Sequence, residues 1–310
     1  MSIIGKFQPH SKQVLFVGDD SDNPITISRD GSGDIFGNGG TVHISGGTPN
    51  IADTDLIRAF GNGGNDVITL DETNGPLPAA RLFGGAGDDT LTGGSGNDDL
   101  RGDSGNDILS GHGGSDFILG GSGNDVLTGG SGDDILTGGA GNDFVDGDQG
   151  TDIGILGAGN DVFQWDPGDG SDRVDGGTGF DEMLFNGNGN PETFALSSDG
   201  DHALFTRAQG NILMDLTGIE KVTLNAFGGA DTVTINDPSG TNVTDIDINL
   251  GVGGIGDADT ININDDDDVQ VVVGQNGNVT ILGVSGATVH ITGFEVGTDH
   301  LVINGDLFPV

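Results

Sequence analysis

Residues 84–164 read GGAGDDTLT GGSGNDDLR GDSGNDILS GHGGSDFIL GGSGNDVLT GGSGDDILT GGAGNDFVD GDQGTDIGI LGAGNDVFQ, nine nonapeptides without an insertion. The sixth position is Asp in all nine: Asp89, Asp98, Asp107, Asp116, Asp125, Asp134, Asp143, Asp152 and Asp161. The fourth is Gly in all nine. The eighth is apolar in eight: Leu91, Leu100, Leu109, Ile118, Leu127, Leu136, Val145 and Phe163, with Gly154 the exception. Self-similarity at a fixed period marks an architecture in which each unit packs on its neighbours.

The unit can be read physically. Gly at positions one, two and four permits positive φ and a tight loop. Such a loop turns carbonyl oxygens inward, and position six adds a carboxylate. Positions seven to nine read as a short strand with position eight pointing into a core. One nonapeptide buries nothing, but a stack does, and it sets one Asp above the next at about the 4.8 Å strand spacing. Carboxylates at that distance repel. The 81 residues hold 15 Asp, one Arg and no Lys or Glu, so the repulsion calls for an external cation. A donor set of oxygens, without sulfur and nearly without imidazole, suits Ca²⁺, which takes roughly six to eight oxygens, better than Mg²⁺, which keeps its waters. Folding and ion binding are then expected to be coupled.

The rest of the composition agrees. Of 310 residues, 62 are Gly, 49 are Asp or Glu and 9 are Lys or Arg, for a net charge of −40. That field repels nucleic acid and anionic membranes. There is no Cys, hence no disulfide, thiolate metal site or cysteine nucleophile. Hydrophobic residues are 33 %, too few for a thick core, so the chain is either disordered or built on a thin repeating one. No apolar run is long enough to span a membrane, and the first residues, Met1 to Lys6, are too short and broken for a secretory leader.

The pattern G-G-x-G-x-D-x-U-x resembles the bacterial RTX (hemolysin-type) calcium-binding repeat. The resemblance implies an all-β fold: a right-handed parallel β-roll, two nonapeptides per turn, with Ca²⁺ held between loops one turn apart. Nine units would make roughly 4.5 turns with about seven complete internal sites. It also implies a secreted, extracellular or cell-surface protein exported by type I secretion through an uncleaved C-terminal signal. The closing Asp306-Leu307-Phe308-Pro309-Val310 fits such a signal. Two departures stand out. Gly154 takes an apolar position, so its turn is expected to be the loosest, and Leu156 replaces the first Gly of the last unit. Outlying copies at 61–68 and 176–181 add Asp66 and Asp181, either as metal ligands or as Asp-Gly turns of a solenoid. The metal candidates are therefore Asp66, the nine array Asp residues and Asp181.

The flanks read as β-rich solenoid, giving segments 1–83, 84–188 (array and outlying copy) and 189–310. Short apolar or alternating runs at 25–28, 41–44, 56–60, 67–70, 202–206, 221–225, 232–236, 245–250, 260–263, 269–273, 278–282, 288–292 and 300–304 are separated by Gly, Asn and Asp. No window shows helical periodicity. TVHISG (41–46) and TVHITG (288–293) make the C-terminal segment look like a second copy of the N-terminal one. The run Asp265–Asp268 reads as a solvated acidic turn, with Ca²⁺ binding as the other reading. The six His residues are scattered.

No H-E-x-x-H, no G-x-S-x-G and no P-loop lysine is present, and the G-x-G-x-x-G matches come from the repeat itself. The chain is expected to be no enzyme. It is expected to fold on Ca²⁺ and to serve a structural or adhesive extracellular role. Neither end shows a helix, Pro cluster or Lys-rich edge, so bare edges are expected to stack head to tail into filaments or a matrix. An outward ladder of Phe117, Leu119, Ile135, Ile153 and Ile155 is expected to be covered by a flank or a neighbouring chain. The alternative is a monomeric calcium-binding module or a fragment of a larger RTX toxin or enzyme.

Overall fold

In strand Phe117–Ser122, Ile118 and Gly120 face inward while Phe117 and Ser122 face solvent, and the strands Val126–Ser131 and Ile135–Ala140 repeat that pattern. Period-two alternation within a nine-residue unit thus gives each strand one large inward side chain. The computed structural model describes residues 2–251, 258–265, 269–274, 278–295 and 297–308. It is all-β. Among the described residues the single helical piece is a 3₁₀ turn at Asn38–Gly40.

Two compact units divide the chain, Met1–Ala158 and Gly159–Val310. In the first, two parallel ladders alternate. One runs through Gln13–Val17, Leu56–Gly63, Ala80–Ala86, Asp99–Ser104, Phe117–Ser122, Ile135–Ala140 and Ile153–Gly159. The other runs through Pro24–Arg29, Val67–Asp71, Thr90–Thr92, Ile108–Gly113, Val126–Ser131 and Phe144–Gln149. Within the array the register advances by two nonapeptides, as in Leu100↔Ile118 and Leu109↔Leu127. The strands are longer than expected: they begin at position seven and continue through position three of the next unit. Position one drops out of the register, between Arg101↔Leu119 and Asp103↔Gly121. Leu82, Leu91, Leu100, Leu109, Ile118, Leu127, Leu136 and Val145 are fully buried.

The second unit keeps parallel ladders but interrupts them. Val162–Trp165, Glu182–Asn186, Lys221–Asn225, Asp245–Asn249 and Ala287–Thr292 form one. Thr193–Asp199, Thr232–Asn236, Thr260–Asn264 and His300–Ile303 form another. An antiparallel meander, Thr193–Asp199, His202–Arg207 and Ile212–Thr217, joins it. Trp165, Phe185, Phe194 and Phe205 pack together there, with Trp165 and Phe185 stacked at 4.0 Å.

Four expectations need correcting. The segment 41–44 is irregular, with Val42 in an isolated antiparallel bridge to Gly37 and only Ile44–Ser45 in a strand, whereas Ala287–Thr292 is a full parallel strand, so the two ends are not equivalent copies. The ladders do not end bare. Ile4–Gln8 and Ile35–Gly37 add antiparallel to the first unit, and Asp306–Phe308 and Val279–Val284 add antiparallel to the second. Three-residue edges such as Ile35–Gly37 and Asp306–Phe308 offer little template for another chain, whereas Gln270–Val273, which pairs outside Val279–Val284, is an edge with exposed Val272 and Val273. Asp265 is buried and its N–H donates to Asn304 Oδ1, so it is not a solvated turn residue; Asp266 to Asp268, like Pro309 and Val310 of the closing segment, lie outside the described residues.

The fourth concerns Gly154. It faces the core, but so does Leu156 two residues on, which is fully buried. The strand Ile153–Gly159 therefore moves its large inward side chain from position eight to position one rather than losing it. Leu156→Ala should then cost as much as Leu127→Ala in urea unfolding, about 2–5 kcal/mol each. A negligible cost at Leu156 alone would show that the Gly154 strand is loose.

Candidate metal centre

Position four sits at the turn, where a φ of 130° at Gly105 and 129° at Gly123 excludes a side chain. Position one is Gly for another reason, since no position-one residue of the array has positive φ. A Cβ on Gly120 would collide with Asp125 Oδ2 and lie 2.7 Å from the Gly138 carbonyl oxygen. The same pair recurs at Gly102 (Asp107, Gly120), Gly111 (Asp116, Gly129) and Gly129 (Asp134, Gly147), and before the array at Gly61 (Asp66, Gly84). Each site is thus a cradle between a position-six carboxylate and the position-one carbonyl of the next turn, which has left the sheet register. Sequence reasoning assigned this glycine to loop conformation; the space it keeps open is the actual requirement.

The carboxylates are held from behind. Asp107 N–H donates to Asp125 Oδ1 at 2.8 Å, and Asp116 N–H to Asp134 Oδ1 at 2.7 Å. Repeated at every turn, these bonds thread two columns in the first unit. One links Asp66, Asp89, Asp107, Asp125 and Asp143. The other links Asp98, Asp116, Asp134 and Asp152. In the second unit Asp161 N–H donates to Asp181 Oδ1, and Asp181 N–H to Glu220 Oε2. All of the predicted Asp residues are buried. Asp66 and Asp181 therefore take the same ladder position as the array residues.

With Oδ1 committed, Oδ2 of Asp66, Asp89, Asp107, Asp116, Asp125, Asp134 and Asp181 is buried without a hydrogen-bond partner. A buried polar atom left unpaired costs about 1–3 kcal/mol, and more when it is charged. Asp98 differs: its Oδ2 accepts the Gly94 N–H at 2.7 Å. Burial, opposed by the backbone N–H bonds and reinforced by the neighbouring Asp carboxylates, pushes Asp107 and Asp116 up to about 7 and Asp89 and Asp181 up to about 6. Asp98 also rises to about 6, through burial and then the Glu72 charge. Burial raises Asp66, Asp125 and Asp134 as well.

Orphaned carboxylate oxygens converging with carbonyl oxygens on a space that a methyl would fill suit a hard divalent cation, Ca²⁺ above all. The position-six Oδ2 and the position-one carbonyl would hold it, and it would supply the missing positive charge. Position five is the part the sequence reading missed. Asn106 N–H donates to Asp88 Oδ1, Asn124 N–H to Asn106 Oδ1 and Asn142 N–H to Asn124 Oδ1. This ladder runs opposite in sense to the Asp ladder and ties successive turns without needing an ion. Its signal was the recurrent Asn or Asp before the invariant Asp.

Comparison with known proteins agrees with this geometry. Residues 80–109, 92–127, 110–145, 128–163 and 167–183 match the RTX calcium-binding nonapeptide repeat, and the segment 80–183 is such an array. No curated protein matches the chain. Among solved structures it is similar to the extracellular lipase LipA from Serratia marcescens, at 15 % identity and a TM-score of 0.18. That match spans 57 % of this chain and 39 % of the lipase.

Two outcomes follow. Gly120→Ala should remove about one bound Ca²⁺ per chain in equilibrium dialysis, because its methyl enters the cradle, while Gly31→Ala, which meets nothing within 4 Å, should remove none. In chelator, the carboxyls raised in the folded state bind protons that the unfolded chain has released between about pH 4 and 7. Metal-free stability therefore falls as pH rises through that window. The β signal that survives in chelator should be larger at pH 5 than at pH 7.5, and the reverse order would contradict the burial of these groups.

Proposed function

We propose that the chain is a secreted calcium-binding protein with a structural or adhesive role rather than a catalytic one, folded by Ca²⁺ outside the cell and associating with copies of itself. One observation carries the calcium half: the buried carboxylates of Asp66, Asp89, Asp107, Asp116, Asp125, Asp134 and Asp181, whose outer oxygens have no hydrogen-bond partner. Free Ca²⁺ is scarce inside cells and abundant outside, so a stack that needs it stays unfolded until export. An ion that binds only the folded chain stabilises it by mass action.

Self-association is supported by the sheet face rather than the sheet edges. Phe117, Ile135 and Ile153 pair across adjacent strands and keep 38, 39 and 40 % of their surface, and Ile155 lies beside them at 41 %. Leu119, expected in the same ladder, is half-buried. On the other ladder Ile108 and Val126 form a second exposed apolar row. Contiguous apolar surface of this kind marks contact sites. Antiparallel strands at several ladder ends work against edge-to-edge stacking, so lateral contact is the favoured form, while Gln270–Val273, an edge strand with exposed Val272 and Val273, offers the head-to-tail contact. A monomeric calcium-binding module is the alternative reading.

Circular dichroism with chelator and then excess Ca²⁺ tests the folding claim. Most of the β signal should disappear and return. A spectrum indifferent to chelator removes the calcium half of the proposal. Light scattering at millimolar Ca²⁺ tests the other half. Mass should rise with concentration and fall back in Ile135→Ser. A monomer at every concentration leaves the module reading.

A further inference from the structure

Two turns outside the array carry its geometry with a different residue at position six, and each supplies from the protein what the array leaves to the ion. The first is Gly18–Thr26. Gly18 takes position one and Asn23 position six, while Ile25, fully buried, takes position eight. Asn23 N–H donates to Asp66 Oδ1 at 2.7 Å, the same ladder bond that the Asp residues make. A Cβ on Gly18 would lie 2.8 Å from Asn23 Nδ2 and 2.8 Å from the Gly61 carbonyl oxygen, so the cradle is formed with an amide where the array has Oδ2. That amide donates to the carbonyl oxygens of Asp19 (3.0 Å) and Ser21. A neutral N–H₂ thus gathers loop oxygens without a cation, while Asn23 Oδ1 is buried without a hydrogen-bond partner.

The second turn is Gly187–Ala195, in the second unit. Gly187 takes position one, Glu192 position six and Phe194, fully buried, position eight. Glu192 N–H donates to Asp231 Oδ1 at 2.8 Å, again the ladder bond. A Cβ on Gly187 would lie 2.5 Å from Glu192 Oε2, 3.1 Å from the Asn225 carbonyl oxygen and 3.2 Å from the Phe194 ring, so the ring takes up room beside the cradle. Both carboxylate oxygens have protein donors. Oε2 accepts the Asn188 N–H at 2.6 Å, and Oε1 accepts Arg207 Nε at 2.6 Å and Nη2 at 2.5 Å. Glu192 is buried and Arg207 nearly so; the guanidinium also donates to the Gln209 carbonyl oxygen at 2.7 Å and lies 5.7 Å from the Trp165 ring. A buried carboxylate needs a partner of opposite charge or a large loss of stability follows, and here the partner is covalently part of the chain.

We propose that Asn23 and the Arg207 paired with Glu192 are built-in replacements for calcium, so that these two turns take no ion and the packing around Trp165 is independent of Ca²⁺. This rests on the calcium reading of the array. Position six is then the specificity-determining place: Asp recruits an ion, whereas Asn and an Arg-paired Glu do not.

The test uses the full chain and two readouts. In equilibrium dialysis with Ca²⁺, Asn23→Asp should bind one ion more than wild type, and Asn23→Ser should bind no more. Trp165 is the sole tryptophan, so its emission reports the packing around Arg207. In wild type that emission should hold in chelator while the β signal of the array is lost. Arg207→Gln should lower the urea midpoint of the Trp165 signal equally with and without Ca²⁺, and Arg207→Lys should restore most of it. An unchanged ion count in Asn23→Asp, or a Trp165 red shift that tracks the loss of β signal in wild-type chelator titrations, overturns the proposal. A wild-type chain that binds no Ca²⁺ and keeps its β signal in chelator instead overturns the calcium reading itself, which separates the two failures.

Discussion

A carboxylate taken out of water must meet a positive partner, and the array of this chain buries one in every nonapeptide, with Oδ2 of Asp89, Asp107, Asp116, Asp125 and Asp134 left without a hydrogen-bond partner. One oxygen of each is used to hold the turn before it, through a backbone N–H. The other faces a space bounded by glycine and a carbonyl. With one oxygen fixed by the backbone, the carboxylate cannot swing to solvent, so an unfilled cradle leaves it as a buried charge or a protonated acid. The raised pKa values of Asp107 and Asp116, one in each column, express that choice. The thin core sharpens the dependence. Each strand brings one large inward side chain, worth about 1.5–3 kcal/mol when fully buried, and must offset a like-charged column along its edge.

This constraint explains features of the sequence that composition alone leaves odd. Glycine is needed at position one because the site occupies its side-chain volume, and at position four because the turn bends there. The Asn and Asp of position five recover hydrogen bonds between turns that owe nothing to an ion. Where position one does carry a side chain, as at Leu156, that side chain joins the core and the neighbouring Gly154 gives way to it. The paucity of Lys and Arg in the array fits the same account, since a resident cation at each turn would make the external one unnecessary. Glu192 with Arg207 shows what that arrangement looks like.

Much of this was legible in advance because the period is strict. An invariant Asp, an apolar position eight and the flanking glycines gave the columns, the core residues and most strand positions, including the outlying Asp66 and Asp181. The meander from Thr193 to Thr217 was only partly legible: its middle strand was read and its partners were not, because their apolar residues, Phe194-Ala195-Leu196 and Ile212-Leu213-Met214, run together without the alternation that marks a half-buried strand. The segment 41–44 misled because Thr-Val-His-Ile has strand propensity, yet tertiary context leaves it only an isolated bridge at Val42 and the start of a two-residue strand at Ile44. Asn23 and Glu192 went unseen because a search for Asp at position six passes over them. Their place became visible only through the ladder bonds to Asp66 and Asp231.

The most direct measurement is a crystal structure of the calcium-loaded chain, with anomalous difference density collected to locate the ions. The account predicts peaks in two columns in the first unit, each between a position-six Asp Oδ2 and a position-one carbonyl one turn on, with density beside Asp66, Asp107, Asp116, Asp125 and Asp134. Peaks confined to exposed acidic loops, or empty cradles beside fully ordered Asp columns, would contradict it.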